Sequence, residues 1–433
     1  MRICLITPRF PYPLIKGDAL RVFHQLAGLS RRHQVTLVSL NDSPLSPEQI
    51  EPLSKLCEQV HVVPLPRWKA AVNLATGLFT PRPLQVEYHR SSRFERTLST
   101  VLAGGKFDAV HVSLIRMLPY VWNLVGKRVI VVDLIDSMSL NLLSRMNEAR
   151  GPMRLAYGLE YRRVRDYEGA IVQRFPSLVI SSPIDRQLLG GPHIQVNPNG
   201  VDLEKFQFRG LEGRDPATLI FTGNMAYPPN VEAVCWFVRQ VWPLLRPRWP
   251  RLQLKIVGAD PPASIRALAG PGSNIQVLGR VPKMEERLGK ATVAICPMQS
   301  GSGIQNKVLE AMASGTPVVS TAVANQGVQG CPERELLIGE TPEEFAFAVE
   351  RLLLDEGLRR WLGANGRALV EQRFRWEVHV ARLEALYAGQ PPEATFEPSG
   401  WGPLGESTLG SPLMAGKSAT EALLGLGSET RSR

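Results

Sequence analysis

Marked only for apolar and polar positions, the chain alternates short continuous apolar runs with longer stretches of helical period, and it does so twice. The first series reads as a strand over 3–7, a loop rich in proline and glycine (Pro8, Pro11, Pro13, Gly17), a helix over 18–29 and a strand over 35–40. Further runs at 61–63, 109–112, 128–134 and 178–181 have helical patterns between them. A second series starts at 218–223, continues with a helix opened by Asn230 as its cap, and adds strands over 252–257, 275–278 and 291–296. Strands whose every position is apolar are those covered on both faces, so two parallel α/β units are predicted, joined near 185–200.

One segment carries candidate chemistry. From Met298 to Val319 the pattern is strand end, glycine loop, helix, stop, strand, with an apolar stripe at Ile304, Val308, Leu309 and Met312 and a stop at Gly315 before Pro317. A glycine loop (Gly301, Ser302, Gly303) feeding a helix start is an anion cradle, because free backbone amides and the helix dipole point the same way. Lys307 and Glu310, three apart, share one helix face: a cation for a diphosphate, and one turn deeper an acid for ribose hydroxyls. The competing reading is a solvated ion pair after glycines that merely turn the chain.

A chain of 433 residues with 44% hydrophobic content exceeds one ordinary core and suits two domains of roughly 200 residues. The boundaries read from the sequence are 1–190, 191–375, a helix over 376–388 packing back towards the first domain, and a disordered tail over 389–433 rich in Gly, Pro, Ser and Thr, with a short weak helix over 419–426. A net charge of +10 favours an anionic partner: nucleotide, nucleic acid or acidic lipid. Five scattered cysteines (Cys4, Cys57, Cys235, Cys296, Cys331) read as reduced residues, without metal or redox spacing. No stretch approaches the roughly 20 apolar residues of a membrane helix and no signal-peptide pattern opens the chain, so a cytoplasmic location is expected.

The segment Asn197-Pro198-Asn199-Gly200-Val201-Asp202-Leu203-Glu204-Lys205-Phe206, taken with Glu310-Ala311-Met312-Ala313-Ser314-Gly315-Thr316-Pro317-Val318-Val319, resembles hallmarks of glycosyltransferase family 4. The run Thr7 to Pro13 followed by Lys16-Gly17-Asp18, and the run Gly301 to Lys307, are similar to bacterial sugar transferases of exopolysaccharide systems. The resemblance covers residues 1–388. It implies the GT-B architecture, two Rossmann-like doubly wound domains facing a central cleft, with retention of configuration, no metal, and no cofactor beyond the nucleoside-diphosphate sugar donor. Glu310 matches the carboxylate expected on the donor ribose, and Gly301 and Gly303 match the loop under the diphosphate. Two positions depart from the pattern: Ser302 stands where the family has a second glutamate, and Asn224, after Gly223, where relatives carry arginine.

On the first domain, Gly17 and Asp18 are candidates for the cleft side, with Asp18 equally readable as a helix cap. His111, near the end of a strand, is a candidate beside the reacting sugar, although a buried structural histidine is the preferred reading. Asp133, Asp136 and Ser137 form a polar cluster suited to acceptor hydroxyls or to capping the next helix. Two basic amphipathic stretches, 66–79 and 154–174, offer a peripheral contact with an anionic membrane presenting a lipid-linked acceptor; a solvated helix face is the plainer and preferred reading. No nucleic-acid-binding pattern occurs.

The expected function is transfer of a glycosyl unit from a nucleoside-diphosphate sugar to a glycan or lipid-linked hydroxyl, in exopolysaccharide or cell-surface glycan synthesis. Rivals are a nucleotide-sugar epimerase of related fold and a degenerate, non-catalytic scaffold. A nicotinamide-dependent dehydrogenase fits poorly, since Asn306 occupies the third glycine position of its fingerprint.

Overall fold

The computed structural model describes residues 1–390 apart from Ile15, Lys16 and Ser302, so the tail beyond 390 and the short helix expected over 419–426 lie outside the described residues. Strands β1 (Arg2–Thr7), β2 (Gln34–Asn41), β3 (Gln59–Pro64), β4 (Ala109–Ser113), β5 (Val129–Ile135), β6 (Leu178–Ile180) and β7 (Ile194–Val196) form one sheet in the order β3-β2-β1-β4-β5-β6-β7. Strands β8 (Thr218–Thr222), β9 (Gln253–Val257), β10 (Ile275–Gly279), β11 (Val293–Cys296), β12 (Val318–Ser320) and β13 (Leu337–Ile338) form a second in the order β10-β9-β8-β11-β12-β13. Every pairing in both sheets is parallel. In each sheet the order reverses beside the first strand, between β1 and β4 and between β8 and β11. At such a switch point the loops splay apart and leave a crevice beyond the carboxyl ends of the strands.

The two α/β units are those the apolar runs predict. Strands β7 and β13, three and two residues long, carry too few positions for a pattern and went unread. Two helix starts also differ. The helix after β8 runs Pro228–Trp236 with Tyr227 as its N-cap, so Asn230 lies in the first turn and is not the cap. The helix after the glycine loop runs Asn306–Ala313, which leaves Ile304 in the loop.

The core of the first lobe joins distant parts of the chain. Ile3, Leu5, Val35 and Leu37 of β1 and β2 pack with Val22, Leu26 and Leu29 of the helix Gly17–Leu29. Val380, Leu383, Leu386 and Tyr387 of the helix Trp376–Tyr387 complete this cluster, so the last described helix packs on the first lobe. The chain therefore passes between lobes twice, at 197–201 and at 374–376, and the two passages touch: the Val201 amide donates to the Phe374 carbonyl at 2.7 Å. A Cβ on Gly200 would lie 2.6 Å from a ring carbon of Trp376, so the close crossing requires glycine.

Beside this crossing lies a buried polar cluster. Arg21 donates to both carboxylate oxygens of Asp133 (2.7 and 3.1 Å), to Asn199 Oδ1 (2.7 Å) and to the Asn197 carbonyl (2.9 Å). Asn199 Nδ2 in turn donates to Asn306 Oδ1 at 3.2 Å, at the first residue of the glycine-loop helix. One arginine thus ties the first sheet, the interlobe passage and the start of that helix together.

Candidate functional site

The loop between β11 and the helix Asn306–Ala313 is held open from below. Its two glycines have φ of 132° (Gly301) and 73° (Gly303), values other residues adopt only with strain. Thr321 Oγ1 donates to the Met298 carbonyl at 2.7 Å, and Ser300 Oγ donates to Glu232 at 2.6 Å. Gly327 lies directly beneath: a Cβ there would be 2.6 Å from the Gly303 carbonyl oxygen and 2.8 Å from Ile304 Cα. Gln305 is the N-cap and gives no side-chain cap. The Val308 amide donates to the Gln305 carbonyl at 2.9 Å, which leaves the amides of Asn306 and Lys307 at the helix start for an anion, as the glycine pattern implies. Ser302 lies outside the described residues.

Lys307 turns away from Glu310 and into the second lobe. Its ammonium donates to Asn230 Oδ1 (2.7 Å) and Gln305 Oε1 (3.1 Å) and sits 5.3 Å over the Phe221 ring. Burial lowers its pKa, against the pull of Cys296 and the Glu310 carboxyl towards the charged form. The reading of Lys307 and Glu310 as a solvated ion pair therefore does not hold. Asn230 Nδ2 donates to the Asn224 carbonyl at 2.8 Å, and Asn224 Oδ1 accepts from the Ala226 amide at 2.9 Å, a turn closed by its own side chain. A Cβ on Gly223 would lie 2.8 Å from Asn230 Nδ2. Gly223, Asn224 and Lys307 are in this way assembled around Asn230.

Glu310 is half-buried on the same helix, and its carboxyl has no hydrogen-bond or ion-pair partner among the described residues. Burial lifts its pKa to about 7 against the pull of Lys205 and Lys307. A carboxyl in that condition is an acceptor awaiting donors, and two vicinal hydroxyls would serve.

From the first lobe, Asp136 comes nearest to the loop. A Cβ on Gly303 would lie 2.5 Å from Asp136 Oδ1, so the glycine permits contact across the cleft. Ser181 Oγ donates to Asp136 at 2.9 Å; burial, aided by Asp133 and Asp18, raises its pKa. Asp18, in the first turn of Gly17–Leu29, pairs with Arg9 Nε at 3.0 Å and lines, with Thr7 and Ser113, a crevice of about 10 Å³, room for a single water. Gly17 is exposed with open space around its Cα.

Three of the first-lobe candidates do not line the cleft; His111 takes the structural reading preferred for it and Ser137 the capping one. His111 is fully buried in β4, and its Nδ1 meets the Tyr387 hydroxyl at 2.8 Å. Burial holds its pKa down at about 4, so it is a neutral core residue under the helix Trp376–Tyr387 and touches no cleft. Asp133 is fully buried and spent on Arg21 and Gln25. Burial pushes its pKa up, but the Arg21 guanidinium prevails and holds it below the usual carboxylate range. Ser137 caps the helix Met138–Glu148, accepting from the Leu140 amide at 3.3 Å. Sequence reasoning missed Asn230 as the partner of Lys307, Gly327 under the loop, and Arg21. Lys205, whose charge acts on Glu310, lay in plain view inside the 197–206 motif. Among the described residues no group of three His, Cys, Asp or Glu side chains could hold a metal ion.

Residues 216–355 match the family model described as "Glycosyl transferases group 1". A phosphatidyl-myo-inositol mannosyltransferase from Mycolicibacterium smegmatis is 27% identical over 52% of this chain and 59% of its own, so the chain spans less than two thirds of that relative's length. Sucrose-phosphate synthase from Thermosynechococcus elongatus superposes with a TM-score of 0.66 at 19% identity, covering 90% of this chain and 98% of that one. HepE from Anabaena, solved in complex with UDP, gives 0.62 at 13% identity over 90% and 100%. At these identities the structural likeness establishes the fold.

Proposed function

We propose a reaction from the premise that this is a GT-B chain whose second lobe is a glycosyl transferases group 1 domain: it moves a sugar from a nucleoside diphosphate to an acceptor hydroxyl. The observation that carries the reading is the uncapped start of Asn306–Ala313, under a loop with two positive-φ glycines, with Lys307 and an unpartnered Glu310 on the same helix. The diphosphate takes the first-turn amides and the Lys307 ammonium, and the ribose hydroxyls donate to Glu310. That UDP was captured in HepE supports a nucleotide donor.

Catalysis in this account is chiefly positioning and charge stabilisation. As the bond from the anomeric carbon to the diphosphate breaks, negative charge grows on the leaving oxygen, which the amides at the helix start stabilise, joined by the Lys307 ammonium once it exchanges one of its contacts to Asn230, Gln305 or Met298 for the phosphate. The acceptor oxygen bonds the anomeric carbon on the face the diphosphate leaves, with retention and without a metal, and its proton departs with the diphosphate. Asp136, a carboxyl with a raised pKa facing the glycine loop, is the first-lobe group placed nearest that event. The acceptor is a glycan or a lipid-linked hydroxyl, in exopolysaccharide or cell-surface glycan synthesis. An epimerase would act on the donor without any acceptor, and a scaffold would bind no donor.

A thermal-shift screen across nucleoside diphosphates and their sugars tests this. A cognate donor at 100-fold its dissociation constant should stabilise by about 2.7 kcal/mol. Silence from all of them removes the transferase reading in favour of the scaffold.

A further inference from the structure

The first lobe carries a ledge that the site does not use. The helix Pro152–Arg174 is long beside the strands it serves, and Glu168 fixes its level: Glu168 Oε1 accepts from the Met138 amide, at the start of the helix that follows β5. Residues 152–167 therefore project beyond the carboxyl end of the first sheet, by about 24 Å at 1.5 Å per residue. That is the end at which Asp136 meets the glycine loop.

Against this projection rests the helix Arg67–Gly77. Arg163 donates to the carbonyls of Gly77 (3.4 Å) and Leu78 (2.8 Å), and Glu160 accepts from the Leu84 amide at 2.7 Å. The two amphipathic stretches that are separate in sequence thus form one surface. Arg67–Gly77 buries Ala70, Asn73 and Gly77 and turns Trp68 and Val72 outwards, with Phe79 just past its end; Trp68 is 70% exposed and Phe79 91%. Leu155 and Leu159, one turn apart on the long helix, are also exposed, Leu155 at 73%.

The exposed charge around these side chains is mostly of one sign. Residues 66–82 contain Arg67, Lys69 and Arg82 and no acid, and the acid that pairs with Arg82 at 3.7 Å, Glu87, is itself buried. Residues 150–163 contain Arg150, Arg154, Arg162 and Arg163 against a single acid, Glu160, which is buried on the Leu84 amide. A soluble protein that merely solvated these helices would put polar side chains where Trp68, Phe79 and Leu155 stand.

We infer that this ledge is a docking surface for an anionic lipid bilayer, with Trp68, Phe79 and Leu155 entering the headgroup boundary and the surrounding arginines and lysine resting on lipid phosphates. An aromatic flanked by cations, on a face whose acids Glu87 and Glu160 are buried, is the combination that an interface, apolar below and anionic above, rewards. Seated this way, the lobe would hold the cleft's acceptor side next to the bilayer surface. The inference does not depend on the transfer reaction.

Flotation of the full chain with vesicles tests it. Binding to phosphatidylcholine vesicles containing phosphatidylglycerol, little binding to phosphatidylcholine alone, and release at about 0.5 M salt are expected, since the attraction is screened over a few ångströms there. Trp68→Ser with Phe79→Ser, and separately Arg154→Glu with Arg162→Glu, should each weaken vesicle binding about tenfold or more while nucleoside diphosphate binding stays unchanged. No binding to the anionic vesicles, or binding that both double variants retain in full, overturns the inference. So does binding to a soluble polyanion such as heparin in place of the vesicles. Loss of nucleotide binding by the parent chain would count against the transferase reading alone.

Discussion

Replacing Glu310 with Gln should make the empty protein more stable and the nucleotide-bound one harder to form. The carboxyl is half-buried without a partner, and burial carries its pKa from the ordinary 4.5 to about 7. The folded chain therefore holds that proton more tightly than the unfolded chain does. Stability from this group is greatest below pH 4.5, falls as pH rises towards 7, and is then fully lost. At about 1.4 kcal/mol per pH unit the change amounts to about 3 kcal/mol, an upper value for a group that water partly reaches. Gln cannot ionise, so Glu310→Gln should flatten this dependence and raise the midpoint of thermal unfolding at pH 8 by up to about 4 °C over the parent, with little gain at pH 4.5. The same change removes a charged acceptor for ribose, which should weaken nucleoside diphosphate binding by about 1.5–3 kcal/mol in calorimetry. A variant less stable than the parent at pH 8, or one with unaltered affinity, would refute the assignment.

The other predictions address the parts around that carboxyl. Lys307→Met should lower diphosphate affinity by about 1.5–3 kcal/mol with circular dichroism unchanged; near-normal binding would remove Lys307 from the site. Gly327→Ala should push the glycine loop upwards, since its Cβ would lie 2.6 Å from the Gly303 carbonyl oxygen, and should weaken the diphosphate more than the free nucleoside in competition titrations. Arg21→Met leaves Asp133 charged and buried without its partner, at a cost of about 3–5 kcal/mol in denaturant unfolding, and adding Asp133→Leu should recover much of the loss.

The features legible in the sequence were those written locally. Parallel strands buried on both faces announce themselves as unbroken apolar runs, so β1, β2, β5, β8, β9 and β11 are legible from the sequence alone. The glycine loop was equally plain, because its two glycines, Lys307 and Glu310 fall within ten residues. What could not be read was the cover placed over a strand by distant chain. Asp133 stands near a strand end in sequence and so reads as a cleft candidate, and His111, in the same kind of position, reads as either a cleft or a core residue. Whether such a position faces a cleft depends on Tyr387, 276 residues on, and on Arg21, 112 residues back. Asn230 escaped for a related reason: a residue read as a cap proved to be one that grips a lysine 77 residues away. Gly327 could have been flagged only by knowing that a carbonyl passes above it.

Hydrogen exchange over residues 297–313, with and without a saturating nucleoside diphosphate, tests the central claim most directly. The account predicts strong protection of the glycine loop and of the first turn of Asn306–Ala313 when the ligand is present, lost in Lys307→Met at the same concentration. Protection confined to other segments, or none in a protein that demonstrably binds the nucleotide, would contradict it.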